Sequence, residues 1–193
     1  YSGTHQSSFM HYLPEQTILL GSFSKTVVPS FRTGWIVAPD EIMEKLIVAK
    51  QASDLHTNFF TQKLLAEYLQ QNDLNEHISK IKTVYGRQCL AMIECIKRHF
   101  PKEVTYTLPE GGMFLWVTLP YGISAMDLFQ KAIEKDVAFV PGDPFYTDLK
   151  ESVSTLRLNF SCVDEATIEK GIARLGESIH EYITEYKQKN PTV

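Results

Sequence analysis

Cysteine is scarce in this 193-residue chain. Its three cysteines, Cys89, Cys95 and Cys162, form no CxxC pair, which removes zinc ribbons and dithiol redox motifs, and so odd and sparse a set is no disulfide framework. No run of five like charges occurs and the net charge is only −4, so neither a basic nucleic-acid face nor a membrane-surface helix is expected. No apolar run approaches the length of a membrane span. Repeats and low-complexity tracts are missing. No Ser-His-Asp order or Cys-His pairing stands out, leaving hydrolase chemistry without support. His5 and His11 read as loop histidines rather than metal ligands, and no metal is expected. What is present is ordinary for a globular protein: 44% hydrophobic and 22% charged residues, with eleven Phe and nine Tyr to fill a core.

The apolar pattern changes along the chain. Residues 17–22 and 35–38 read as two short buried strands, separated by a loop at 23–33 in which Pro29 and Ser30 break any helix. Asp40 is a suitable N-cap for a helix from Glu41 to about Lys50. A second helix is predicted over 59–71. A third, long one runs from about residue 73 to the stop at Pro101, with Leu74, Ile78, Ile81, Leu90, Ile93 and Ile96 at helical spacing. Beyond Pro101 short strands (104–107, 113–119, 137–140, 155–160) alternate with helices, one from Ser124 to about Glu134 and one from about Asp164 to Lys187. This is an α/β pattern. The division predicted is 1–72, a bridging helix at 73–100, and a small α/β domain at 101–193.

The chemistry concentrates at Gly21-Ser22-Phe23-Ser24-Lys25, with Arg32 seven residues beyond the lysine. A lysine just past an apolar strand offers an amine that can form an imine. Ser22 and Ser24 offer hydroxyls, and Arg32 a planar fork, for a phosphate. Pyridoxal 5′-phosphate, an aldehyde carrying a phosphate, needs both kinds of group. Further along, Arg157 interrupts an apolar strand between Leu156 and Leu158, and a buried guanidinium needs an anionic partner. That partner is either a ligand carboxylate or a structural ion pair.

The stretch from Gly21 to Trp35 resembles the lysine motif of fold-type I, class I/II aminotransferases, and within them the 2-aminoadipate and kynurenine aminotransferase group. Residues 51–57 (Gln-Ala-Ser-Asp-Leu-His-Thr), 109–116 (Pro-Glu-Gly-Gly-Met-Phe-Leu-Trp) and 156–161 (Leu-Arg-Leu-Asn-Phe-Ser) fit the same group, in order and over nearly the whole chain. The resemblance implies the C-terminal portion of a PLP-dependent transferase fold: the end of the large domain plus the small α/β domain. It implies Lys25 as the catalytic lysine that holds the cofactor and shuttles a proton, with Ser22, Ser24 and Arg32 on its phosphate. Arg157 would take the substrate α-carboxylate. The substrates would be an amino acid and a 2-oxo acid, the parent a cytoplasmic homodimer. Asp54, His56 and Asn58 fall where the family places substrate-side or interface residues. Gly111-Gly112 reads as a turn, and residues 141–145 as a rigid loop near the site mouth.

In that family the acidic partner of the pyridine nitrogen lies upstream of the lysine and would precede residue 1. The chain is therefore expected to be a piece of a longer protein with little or no transaminase activity alone. The alternative is an effector-sensing aminotransferase-like domain of a winged-helix transcription regulator of the GntR/MocR type. Nucleic acid would be a partner only in that case.

Overall fold

The computed structural model describes residues 1–4, 6–120, 122–148 and 153–190; His5 lies outside them. The chain divides into two compact units, Gly3–Lys80 and a second made of Tyr1–Ser2 with the residues from Ile81 onward.

In the first unit a short helix α1 (Phe9–Tyr12) precedes strands β1 (Leu19–Ser22) and β2 (Gly34–Val37), which pair antiparallel with Gly21 opposite Trp35. Helices α2 (Asp40–Ser53) and α3 (Phe59–Gln71) follow, and α4 (Leu74–His99) begins here. The glycine at 21 is required by the pairing. A Cβ there would lie 2.0 Å from the Trp35 ring, and one on Gly34 would lie 2.8 Å from the Gly21 carbonyl oxygen.

The two strands are not buried as the apolar run predicts. Leu20 is 69% exposed and every residue of β2 is exposed. A space of about 630 Å³ lies beside the sheet, lined by Leu20, Trp35 and Ile36 from the strands and Met43, Leu46 and Ile47 from α2. Helix α2 includes Asp40 as its first residue, with Pro39 in the capping position, and runs to Ser53 rather than Lys50. Helix α3 matches its predicted span, capped by Asn58, whose side chain accepts from the Thr61 amide at 3.2 Å. Sequence reading missed α1 and the 3₁₀ turns at Pro14–Gln16, Pro29–Phe31 and Asp143–Phe145. Each of those turns carries proline in its first two positions, where the absent N–H costs nothing.

The second unit is a two-layer α/β body. Strands β3 (Thr105–Tyr106), β4 (Phe114–Thr118), β5 (Val140–Pro141) and β6 (Thr155–Asn159) form an antiparallel sheet in the order β3-β4-β6-β5. Leu115 and Val117 of β4 and Leu156 and Leu158 of β6 point to one face, where the rest of α4, α5 (Ala125–Ile133) and α6 (Glu165–Lys189) cover them. Met92, Ile96, Leu128, Ile172, Leu175 and Ile179 complete that core. The i, i+3, i+4 spacing of Ile168, Ile172, Leu175, Ile179 and Ile183 makes α6 amphipathic.

Ser124 and Asp164 cap α5 and α6, accepting from the amides of Asp127 (3.1 Å) and Thr167 (2.9 Å). At 137–140 only Val140 joins the sheet, because Asp136 turns left-handed (φ 58°) and the Val137 amide bonds back to the Ala132 carbonyl at the end of α5. Tyr1 and Ser2 dock on the turn before β4, the Ser2 amide donating to the Glu110 carbonyl at 3.1 Å. Among the described residues no helix is long and apolar enough to cross a membrane.

Candidate functional site

Ser22 ends β1, and the loop from there to β2 carries Ser24, Lys25 and Arg32. It is closed by the Phe23 amide donating to the Thr33 carbonyl at 3.1 Å, which extends the ladder by one bond. The amides of Val27 and Val28 both donate to the Phe23 carbonyl, curling the chain around Lys25. The Ser24 amide donates to the Ser22 hydroxyl oxygen at 3.1 Å, leaving the Ser22 proton available to a ligand.

Arg32 closes the 3₁₀ turn in a left-handed conformation (φ 51°), a strained setting for a side chain bearing a Cβ. Its guanidinium makes one weak bond, at 3.4 Å, to the Pro29 carbonyl. Lys25 and Arg32 are exposed, and neither has an ion-pair partner among the described residues. No Asp or Glu occurs between residues 17 and 39, so the loop is uniformly cationic. Hydroxyls, a guanidinium and an uncommitted amine in one acid-free loop form the donor set that a phosphorylated aldehyde requires.

Arg157 belongs to the other unit, on the sheet face away from the helices. Strand alternation puts Leu156 and Leu158 in the core and Arg157 opposite, paired across the ladder with Trp116 on β4 and Val140 on β5. It is half-buried and has no carboxylate within ion-pair distance among the described residues. Its Cζ lies 4.0 Å from the Phe114 ring centroid and 5.0 Å from that of Phe145. It also lines one end of an apolar cavity of about 560 Å³ with Phe114, Val140 and Asn159. Sequence reading places Phe145 in a rigid loop near the site mouth and Phe114 in the 109–116 motif but assigns neither ring a role, although period-two alternation from Arg157 through Trp116 to Phe114 puts the latter on the same face.

The remaining candidates have structural partners. Asp54 pairs with Lys50 at 2.7 Å past the end of α2, His56 Nδ1 meets the Thr57 carbonyl at 3.0 Å, and Asn58 is the α3 cap. Gly112 has φ 80°, and a Cβ on it would meet nothing within 4 Å, as suits a turn glycine. Among the described residues no cluster of His, Cys, Asp and Glu could hold a metal ion.

The sequence pattern described as aminotransferase class I and II matches residues 2–175, and the chain belongs to that family. It is 43% identical, over 84% of its length, to the 2-aminoadipate transaminase of Thermus thermophilus. Its fold superposes with a TM-score of 0.90 and 42% identity over 95% of the chain on the kynurenine aminotransferase of Pyrococcus horikoshii, solved with PMP, KYN and KYA. The α-aminoadipate aminotransferase of T. thermophilus, solved with N-(5′-phosphopyridoxyl)-L-leucine, superposes with a TM-score of 0.89 and 38% identity, again over 95% of the chain. Regulators are similar at lower identity, for example the uncharacterized HTH-type transcriptional regulator YdfD of Bacillus subtilis at 27% over 85% of the chain. The chain spans 40% of the curated Thermus relative and 45% and 48% of the two solved chains.

Proposed function

We propose that this chain supplies part of the active site of a pyridoxal-5′-phosphate-dependent aminotransferase, which moves an amino group from an amino acid to a 2-oxo acid. The observation that carries the reading is the acid-free loop from Ser22 to Arg32, whose lysine and arginine have no ion-pair partner among the described residues. Ser22, Ser24 and Arg32 hold the phosphate, with the Arg32 fork matching its oxygens. When bound, pyridoxal phosphate supplies an aldehyde and an electron-accepting ring. Lys25 holds that group through its Nζ and moves the substrate α-proton, and Arg32 in the same loop adds a neighbouring positive charge. Arg157 binds the substrate carboxylate through two parallel N–H donors. The apolar sheet face around it suits an apolar or aromatic substrate body.

The holoprotein is proposed to be a cytoplasmic homodimer, with residues 1–72 belonging to a large cofactor domain, 73–100 to a bridging helix and 101–193 to a small domain. A second reading, an effector-sensing module behind a winged-helix DNA-binding domain, draws support from the regulator relatives. The higher identity to the Thermus transaminase favours the enzyme. Borohydride fixation of pyridoxal phosphate on the full-length gene product, with peptide mapping, tests the cofactor assignment. A tag on the Lys25 peptide supports it and an untagged Lys25 refutes it. Amino-group transfer by the same preparation separates enzyme from regulator.

A further inference from the structure

Among the described residues the Arg157 guanidinium has no carboxylate partner, yet it still has to be held in one place, and two aromatic rings flank it. Phe114 reaches Arg157 along the sheet face, and Phe145 reaches it from the 3₁₀ turn Asp143–Phe145 beyond β5. Both rings lie within the range at which a cation is attracted to a π face. The Phe145 ring is itself fixed, packing edge-on against Trp116 with centroids 5.2 Å apart at 88°. Its turn is tied to β6 two residues before Arg157. The Gly142 amide donates to the Thr155 carbonyl at 2.7 Å, and a Cβ on Gly142 would lie 2.1 Å from the Thr155 hydroxyl oxygen.

We propose that Phe145, together with Phe114, is a positioning residue for Arg157, holding the guanidinium by its π faces so that its N–H donors stay free for the carboxylate of an amino or 2-oxo acid. This rests on the reading of Arg157 as the carboxylate-binding residue. The physical logic is a choice of partner. An acidic neighbour would fix the cation equally well, but it would occupy the fork and oppose an incoming anion. An aromatic face attracts the charge without accepting the directional N–H bonds. Phe145 is the informative ring to change because it is half exposed and outside the strands, whereas Phe114 is part of the β4 ladder.

The test is titration of the full-length protein with pyruvate, without added pyridoxal phosphate, followed by the Nε–Hε NMR signal of Arg157. Wild type is expected to bind, Arg157→Gln to lose binding, and Phe145→Leu to bind about five- to tenfold more weakly at an unchanged melting temperature. Phe145→Tyr, which keeps the ring, restores binding. Wild-type affinity in Phe145→Leu, with Arg157→Gln still inactive, overturns the positioning role and leaves the Arg157 reading standing. Equal loss in Phe145→Leu and Phe145→Tyr overturns it too. Absence of pyruvate binding in wild type, or its persistence in Arg157→Gln, overturns the Arg157 reading and the inference with it.

Discussion

Single residues decide the close approaches in this protein. Gly176 on α6 faces the last turn of α4, where a Cβ would sit 2.4 Å from the His99 carbonyl oxygen. Backbone cannot step aside as a flexible side chain would. Gly176→Ala is therefore expected to lower stability by about 1–3 kcal/mol, more than the roughly 1 kcal/mol of helix propensity that alanine brings. Urea denaturation followed by circular dichroism measures the sign, and a stabilised variant would show that the helices separate freely. The candidate site is legible at this scale to an uneven degree. Lys25, Ser22, Ser24 and Arg32 stand within eleven residues of sequence, so one loop is enough to gather them. Phe114 and Phe145 lie 43 and 12 residues before Arg157, and only the sheet register and a proline turn bring their rings to it.

Elements with a strong period and a clear cap are the ones the sequence specifies well. Helix α6 has both its apolar stripe and Asp164 at its head. The side-chain and backbone hydrogen bonds from Thr167 hold the Asp164 carboxyl below the usual carboxylate range. The folded value thus lies under the unfolded one. The stabilisation is fully present above the unfolded value of about 4 and is lost as pH falls through the lower folded value. The melting temperature is accordingly expected to drop between about pH 5 and about pH 3, and Asp164→Asn, which still caps but carries no charge, flattens that part of the profile. An unchanged slope in the variant would remove Asp164 from the account. Strand β5 is shorter than the apolar run at 137–140 predicts, because the turn at Asp136 and the bond from Val137 to α5 withhold those residues from the ladder. Apolar composition shows that a segment is buried; hydrogen-bond commitments of its neighbours decide whether it is a strand.

At the scale of the whole chain, burial is divided unequally between the two units. Among the described residues the buried apolar side chains run from Cys89 to Ile183, with Leu65 the exception in the first unit. Phe9, Leu20, Trp35, Val48, Phe59 and Phe60 of that unit are exposed. A two-stranded sheet is marginal without a packed layer on its face, and most residues of β1 and β2 are exposed or half-exposed. Limited proteolysis of the chain is therefore expected to cut first in the loops before α4 and to leave a resistant product that retains α4 and the residues after it, identified by mass spectrometry. Equal resistance of both units would contradict this distribution of stability. The exposed strands also explain why the sequence misleads about burial: an apolar run records what the chain is built to bury, not whether a covering layer is in place.

The claim on which all of this turns is that Lys25 carries the cofactor. Pyridoxal phosphate, reduced onto the full-length protein with borohydride and traced by peptide mass, should mark Lys25 above the other lysines, and free phosphate should compete as Arg32 and the serines are filled. A mark spread evenly over surface lysines, indifferent to phosphate and missing from Lys25, would contradict the account.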